Sequence, residues 1–270
     1  MNWGIVCKPQ AKKAITMAQD IYTFLQDHGT VMAETTLAKE LNVPAFSFQD
    51  LDKKADIIVT VGGDGTILRT LCEIDKPVFA INLGGMGFLS EVEAKYAFEG
   101  LKRIIAGDYN IEERAKLKVM LDGKRLPDAA NEMTIQTARI AKILYLKCYV
   151  DGELVESMGA DGVIVATPTG STSYSLSVGG PIMDPAVHAM ILAPLAAFKL
   201  SARPWIIPLE RKIKISILPK SKESMLVIDG RYTEEVSPRS DIVITGSETT
   251  ARFIRFGESF YQMVRLKLMR

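Results

Sequence analysis

The chain is short of the residues that mark several common functions. Cysteine occurs three times in 270 residues, as Cys7, Cys72 and Cys148. Their wide spacing matches neither a zinc cluster nor a disulfide framework, which fits a reducing compartment. Histidine occurs twice, as His28 and His188, too few for a His-based metal site. His28 precedes Gly29 at an expected helix end, where a solvated histidine suits the negative pole of the helix. An excess of one charge is also missing: 33 basic residues face 32 acidic ones, with no basic block. Nucleic acid is thereby excluded as the main partner. No apolar run reaches the ~18 residues of a membrane span, and residues 1–6 carry no secretion-signal pattern. A soluble cytoplasmic protein with no membrane partner is expected. There is no internal repeat, and the length suits one large domain or two ordinary ones.

What is present begins with residues 59–66, which read VTVGGDGT. The run before the glycines, 56–61, is short, β-branched and apolar on both parities, as in a parallel-sheet strand covered on both faces. Gly62, Gly63, Asp64 and Gly65 can be plain turn chemistry, since glycine allows positive φ and aspartate bonds its own backbone. Equally, the missing side chains leave N–H groups open to a phosphate. No Gly-Lys-Ser/Thr follows and the G-x-G-x-x-G spacing is absent, so this is neither a Walker loop nor the dinucleotide fingerprint. A carboxylate inside a phosphate loop makes sense if it handles a proton or a metal ion.

Strand and helix patterns alternate over 1–110. Residues 3–7 read as a strand; Ala14, Met17, Ala18, Ile21 and Leu25 mark one face of a helix that Gly29 stops. Strands follow at 56–61 and 77–82, then a second glycine-rich loop, Leu83-Gly84-Gly85-Met86-Gly87-Phe88. Ala97, Leu101, Ile104 and Ile105 mark a further helix ending near Gly107. This predicts a Rossmann-like α/β domain with its loops at the strands' carboxyl ends, where open α/β sheets bind ligands. Residues 111–250 read as a mostly-β domain. Residues 116–121 run into Asp122-Gly123 and 144–150 into Asp151-Gly152, both hairpin signals; 162–167, 212–218, 225–228 and 241–245 also read as strands. The stretch 185–200 is apolar and interrupted by Pro194. The segment 251–270 is apolar enough to pack back onto the first domain.

Residues 167–181, TPTGSTSYSLSVGGP, form the densest hydroxyl cluster in the chain. Such stretches are usually loops, yet this one follows an apolar strand and carries one tyrosine and no charge, a set suited to hydrogen-bonding a sugar or an amide. Asn131-Glu132, by itself, reads as turn or cap chemistry.

Taken together, GGDGT at 62–66, Asn131-Glu132 and DGVIVATPTGSTSYSLSVGGPI at 161–182 resemble the NAD kinase family over nearly the whole chain. The resemblance implies the family's fold, an α/β N-terminal domain with a β-sandwich-like C-terminal domain. It also implies transfer of the terminal phosphate of ATP to the 2′-hydroxyl of the adenosine ribose of NAD. On it, Asp64 is the general base, and Gly62, Gly63, Gly65 and Thr66 shape the loop around the phosphates. Asp64, Gly65, Gly87, Phe88, Asn131, Glu132, Thr172, Ser173, Tyr174, Ser177 and Asp229 match NAD-lining positions. Asp161 matches an acid that reaches the nicotinamide end from a neighbouring subunit, which implies a homodimer or homotetramer. A divalent cation, magnesium, is expected to bind mainly through the donor phosphates. Two departures stand out. Ser173 replaces a common alanine, and Ala197-Phe198-Lys199-Leu200-Ser201 stands where many bacterial members carry Pro-His-Ser-Leu-Ser. GGDGT also occurs in lipid kinases of the diacylglycerol and sphingosine type, and a non-catalytic dinucleotide sensor on the same scaffold is the other alternative.

Overall fold

The computed structural model describes residues 1–84, 87–139, 141–221, 223–257 and 259–268; Gly85 and Met86 of the second glycine-rich loop lie outside them. The chain forms two units, one of Met1–Glu113 with Ala251–Arg270 and another of Arg114–Thr250.

The first unit runs β1 (Asn2–Cys7), α1 (Lys12–Gln26), β2 (Thr30–Glu34), α2 (Thr35–Leu41), β3 (Ala45–Phe46), α3 (Phe48–Lys54), β4 (Ile57–Gly62), α4 (Asp64–Glu73), β5 (Val78–Asn82), β6 (Val92–Glu93) and α5 (Ala97–Ile105). Its strands are parallel in the order β5-β4-β1-β2-β3, with β6 on β5. Every residue of β4 and β5 is buried, as the run of apolar residues on both parities requires. Trp3, Ile5, Ile57, Val59, Val61, Phe79 and Ile81 face the apolar stripes of α1 and α5, Ala14, Ala18, Ile21 and Leu25 with Ala97, Leu101 and Ile104. The elements from β2 to α3 carry little periodicity; caps decide them instead. Glu34 caps α2 by accepting from the Thr36 N–H, and Ser47 and Asp50 form a capping box on α3.

The second unit contains most of β7 (Asn110–Leu121), then β8 (Lys124–Arg125), β9 (Glu132–Thr137), β10 (Leu144–Val150), β11 (Glu153–Ala160), β12 (Gly162–Ala166), the short α6 (Tyr174–Ser177), β13 (Ala189–Leu195), β14 (Trp205–Pro208), β15 (Ile213–Ile217), β16 (Ser224–Ile228) and β17 (Tyr232–Val236). The long β18 (Ile242–Arg255) begins in this unit and gives its last residues to the first, where α7 (Phe260–Leu268) follows. One layer runs β11-β10-β15-β18 with β7 beside β18; the other runs β14-β13-β12-β9-β16-β17, all antiparallel. Leu146, Cys148, Ile215 and Ile244 from the first layer pack against Met133, Ile135, Val163, Val165, Leu192 and Leu226 from the second, a sandwich core. Asp122-Gly123 and Asp151-Gly152 take positive φ and close the β7–β8 and β10–β11 hairpins.

Pro194 does not interrupt its strand. It pairs with Val163 on one side, while β14 pairs only as far as Leu192 on the other, so no ladder N–H is needed there. Residues 241–245 are the start of a strand of 14 residues, whose polar middle, Gly246 to Thr250, hides its length from an apolar pattern.

Candidate active site

In the first unit, the order β5-β4-β1-β2 puts the reversal of strand order between β4 and β1, the crevice where open α/β sheets take ligands. Gly62 ends β4, Gly63 is the N-cap of α4 and Asp64 is its first residue. A side chain on Gly62 would strike the Thr66 hydroxyl, so that glycine serves packing, and Thr66 is itself buried. Around Gly63 and Gly65, by contrast, a Cβ would meet nothing within 4 Å. The backbone there opens outward at a helix N-terminus, a natural anion site.

The Asp64 carboxylate does not cap its own helix. Its Oδ2 accepts the Phe88 N–H at 2.8 Å, and its Oδ1 accepts the Leu89 N–H at 3.4 Å. A Cβ on Gly87 would lie 2.6 Å from Asp64 Oδ1, so the second loop needs glycine at this position for the carboxylate to lie against it. The Phe88 ring is half-buried, with Lys267 Nζ of α7 5.3 Å from its centroid.

In the second unit, Asn131 and Glu132 stand at the start of β9, both buried. Asp229-Gly230 is the turn between β16 and β17, but the Asp229 carboxylate does more than turn the chain. It accepts the N–H groups of Ala130 at 2.8 Å, Asn131 at 2.8 Å and Glu132 at 3.0 Å. Thr167 fixes the same backbone from the other side: its hydroxyl donates to Ala130 O at 2.7 Å and its N–H to Asn131 O at 2.8 Å. The Gly170 backbone lies so close to Asn131 O that no side chain fits. So braced, Asn131 Oδ1 and Glu132 Oε2 are buried without a hydrogen-bond partner among the described residues. An orphaned buried acceptor is costly, and each of these suits a ligand that donates hydroxyls.

Glu132 Oε1 accepts the Ser173 hydroxyl at 3.3 Å. Burial, followed by the neighbouring Asp229 charge, pushes Glu132 up to about 7, against the pull of Ser173 and the Tyr174 N–H. Burial also raises Asp229, opposed by its three backbone donors and by Lys116. The hydroxyl-rich segment is a 3-10 turn, Thr169–Thr172, leading into α6. Its members divide: Ser171 is buried and bonded to the Met183 backbone, whereas Tyr174 and Ser177 are exposed and Thr172 is half-buried. Asp161 is exposed, just before β12. Lys199, at the departure from the bacterial pattern, is ion-paired with buried Glu156 at 2.6 Å.

Among the described residues no group of three or more His, Cys, Asp or Glu side chains could hold a metal ion, and no helix is long and apolar enough to cross a membrane. Burial pushes Cys7 up to about 11 and Cys148 up to about 12, so neither is a nucleophile at neutral pH.

Sequence reasoning named Asp64, Glu132 and Asp229 individually. It missed Thr167 and Asp229 as braces of the Asn131-Glu132 backbone, and it missed the partnership of Asp64 with the Phe88 and Leu89 N–H groups. No local pattern encodes contacts between segments so far apart in the chain.

The chain matches two family models, the ATP-NAD kinase N-terminal domain over residues 3–109 and the ATP-NAD kinase C-terminal domain over residues 130–256. It is 40% identical to an NAD kinase of Methanothermobacter thermautotrophicus, covering 100% of this chain and 96% of that one. Against an NAD kinase of Thermococcus kodakarensis the identity is 39%, covering 99% of each. Among solved structures, it superposes on yeast NADH kinase complexed with NADH with a TM-score of 0.92 at 26% identity, covering 98% of this chain and 86% of that one. An NAD kinase from Archaeoglobus fulgidus in complex with ATP gives 0.81 at 29% identity, covering 98% and 99%.

Proposed function

Because the chain belongs to the NAD kinase family, we propose that each group of residues described above serves one half of a phosphate transfer from ATP to NAD. The enzyme moves the terminal phosphate of ATP to the 2′-hydroxyl of the adenosine ribose of NAD. The observation that carries the assignment of the NAD site is the pair of buried, unpartnered acceptors, Asn131 Oδ1 and Glu132 Oε2, whose natural complement is a ribose edge. The lipid-kinase reading of GGDGT accounts for neither, and both matched domains disfavour it.

The 2′-hydroxyl is a weak nucleophile and needs a base. Asp64 takes its proton; the oxygen bonds to the γ-phosphorus as the bond to the β-phosphate oxygen breaks, and ADP leaves. Gly63 and Gly65 let the phosphates approach the backbone, with Gly62 and Thr66 packing the loop beneath. Glu132 and Asn131 bind ribose hydroxyls, and Asp229 holds their backbone. Thr172, Ser173, Tyr174 and Ser177 serve the base and nicotinamide ends, and Phe88 lines the substrate. A magnesium ion, when bound, neutralises charge on the donor phosphates. The residues present fit it only as an ion carried in with those phosphates, since magnesium keeps several waters and binds through substrate phosphates and one or two carboxylates, not a protein cage. Exposed Asp161 serves the NAD of an adjacent copy in a homodimer or homotetramer, and the cytoplasmic location read from the sequence is part of the same proposal.

The test is an assay of purified protein with NAD, ATP and magnesium, coupled to an NADP-specific readout. NADP formation is expected; none, from folded protein, would overturn the proposal. A sensor without catalysis would bind NAD and still yield no NADP.

A further inference from the structure

Arg255, the last residue of β18, is 8% exposed, an unusual depth for an arginine. Its Nη1 donates to Glu91 Oε2 at 2.9 Å and lies 3.4 Å from Leu89 O, and its Nε donates to Glu112 Oε2 at 2.7 Å. Glu91, 4% exposed at its side chain, also accepts the Phe256 N–H at 2.6 Å. The Glu91 N–H donates to Ala80 O of β5 at 2.8 Å. One guanidinium thus grips both ends of a three-residue run, at Leu89 and Glu91, and ties it to β5 and β18. That run carries the Leu89 N–H, and the residue before it carries the Phe88 N–H. These are the two donors that hold the Asp64 carboxylate.

We infer that Arg255 is a positioning residue for phosphate transfer, holding the Phe88–Leu89 backbone so that its N–H groups orient Asp64. The inference rests on the reading of Asp64 as general base. A buried ion pair adds little net stability over an apolar replacement. What the pair supplies is a fixed geometry, because the planar fork of arginine holds two acceptors at a set angle and lysine does not. The two carboxylates around Arg255 carry the same logic: Glu91 is engaged at both oxygens and cannot rotate without releasing either Arg255 or Phe256.

The experiment uses the full chain with Arg255→Lys, Arg255→Met, Glu91→Gln and, as a control on the same strand, Arg252→Lys. Arg252 pairs instead with Glu113 at 3.2 Å. Arg255→Met strands two carboxylates and can fail to fold; Arg255→Lys keeps the charge and loses the fork. In Arg255→Lys, kcat is expected to fall about ten- to hundredfold, the cost of misplacing a reacting group, with KM for NAD and ATP within about threefold of the unaltered enzyme. Arg255→Met, where folded, should fall further, so lysine is a partial rescue. Amide exchange at Phe88 and Leu89 should quicken at least about tenfold while the β1 and β4 amides keep their protection. Arg252→Lys should change none of these. Unchanged exchange at Phe88 and Leu89 in Arg255→Lys overturns the inference, as does faster exchange with normal kcat. Asp64→Asn, assayed alongside, separates the two ideas. If it is inactive while Arg255→Lys is normal, the positioning role alone falls. If Asp64→Asn is fully active, the general-base reading falls and takes the inference with it.

Discussion

Glu132 makes the protein's stability depend on pH in a direction opposite to that of an ordinary ion-paired carboxylate. Its acid is held up to about 7 in the folded chain, mainly by burial, against an ordinary value of 4.5. Between those values the folded state keeps a proton that the unfolded state has lost. Stability is therefore full below the unfolded value and declines as pH rises through the folded one. The difference between 4.5 and about 7 is worth about 3 kcal/mol, at 1.36 kcal/mol per pH unit. The proton belongs to the buried Glu132–Asp229 pair, since burial raises both. The carboxylates held low, Asp50, Asp151 and Glu248, titrate below this window. About 2 kcal/mol of that total is lost between pH 5.5 and 8.5, so calorimetry of the nucleotide-free protein at pH 5.5, 6.5, 7.5 and 8.5 should show the transition moving down by roughly 4–8 °C, at 2–4 °C per kcal/mol. Glu132→Gln removes the titration and should flatten most of that slope. The amide also brings a buried N–H₂ that needs a partner, so the slope is the quantity to compare, not the melting temperature at one pH. A flat profile in the unaltered protein, or an equal slope in Glu132→Gln, would refute the reasoning.

Four further outcomes are expected. Asp64→Asn should cost roughly two to four orders of magnitude in turnover in a folded protein, and near-normal activity would sink the base assignment; the amide can satisfy only one of the two N–H groups that the carboxylate accepts, so circular dichroism should accompany the assay. Glu132→Gln should raise KM for NAD far more than KM for ATP, and equal effects on both would count against its ribose role. Gly65→Ala has room for its methyl group and should stabilise α4 by up to ~1 kcal/mol while weakening use of ATP; a stabilised variant with unchanged KM for ATP would remove Gly65 from the phosphate site. Mixing Asp64→Asn and Asp161→Asn chains, denatured and reassembled together, should restore part of the activity if Asp161 serves a neighbour's NAD, and mixed oligomers without recovery would exclude a shared site.

The sequence was legible where one face of an element carries its own signal. β1, β4, β5, α1 and α5 announce themselves through burial on both faces or a helical stripe, and two Asp-Gly pairs announce the β7–β8 and β10–β11 hairpins. β2, β3, α2 and α3 did not, because short elements held by caps lack periodicity. The polar centre of β18 concealed most of that strand. At the site, residue types were readable and their attachments were not. Asp229 reads as a turn residue, and it is one; that its carboxylate also gathers three N–H groups from 97–99 residues earlier in the chain depends on β16 pairing with β9, a long-range fact. Arg255 and Glu91 carry no motif. The stretch ARFIRF at 251–256 holds two arginines, Arg252 and Arg255, and nothing local sets one apart from the other.

The return of residues 251–268 to the first unit governs the order in which a ribosome can hand this protein over to folding. Trp3 and Ile254 belong to one apolar cluster, and Phe253 pairs beside Val78. Until residues 251–255 are made, β5 has only the two-residue β6 on that side, and the carboxylate of Glu91 awaits a cation 164 residues further along the chain. The second unit has all of its residues before 251–268 are made, so it can close first, while the first unit is still incomplete. A message truncated before the codons for residues 251–268 would therefore damage a unit most of which had already been synthesised. It would leave an unpaired parallel edge of the kind that recruits other chains, and such products should be found in aggregates and bound to chaperones rather than as soluble, partly active enzyme.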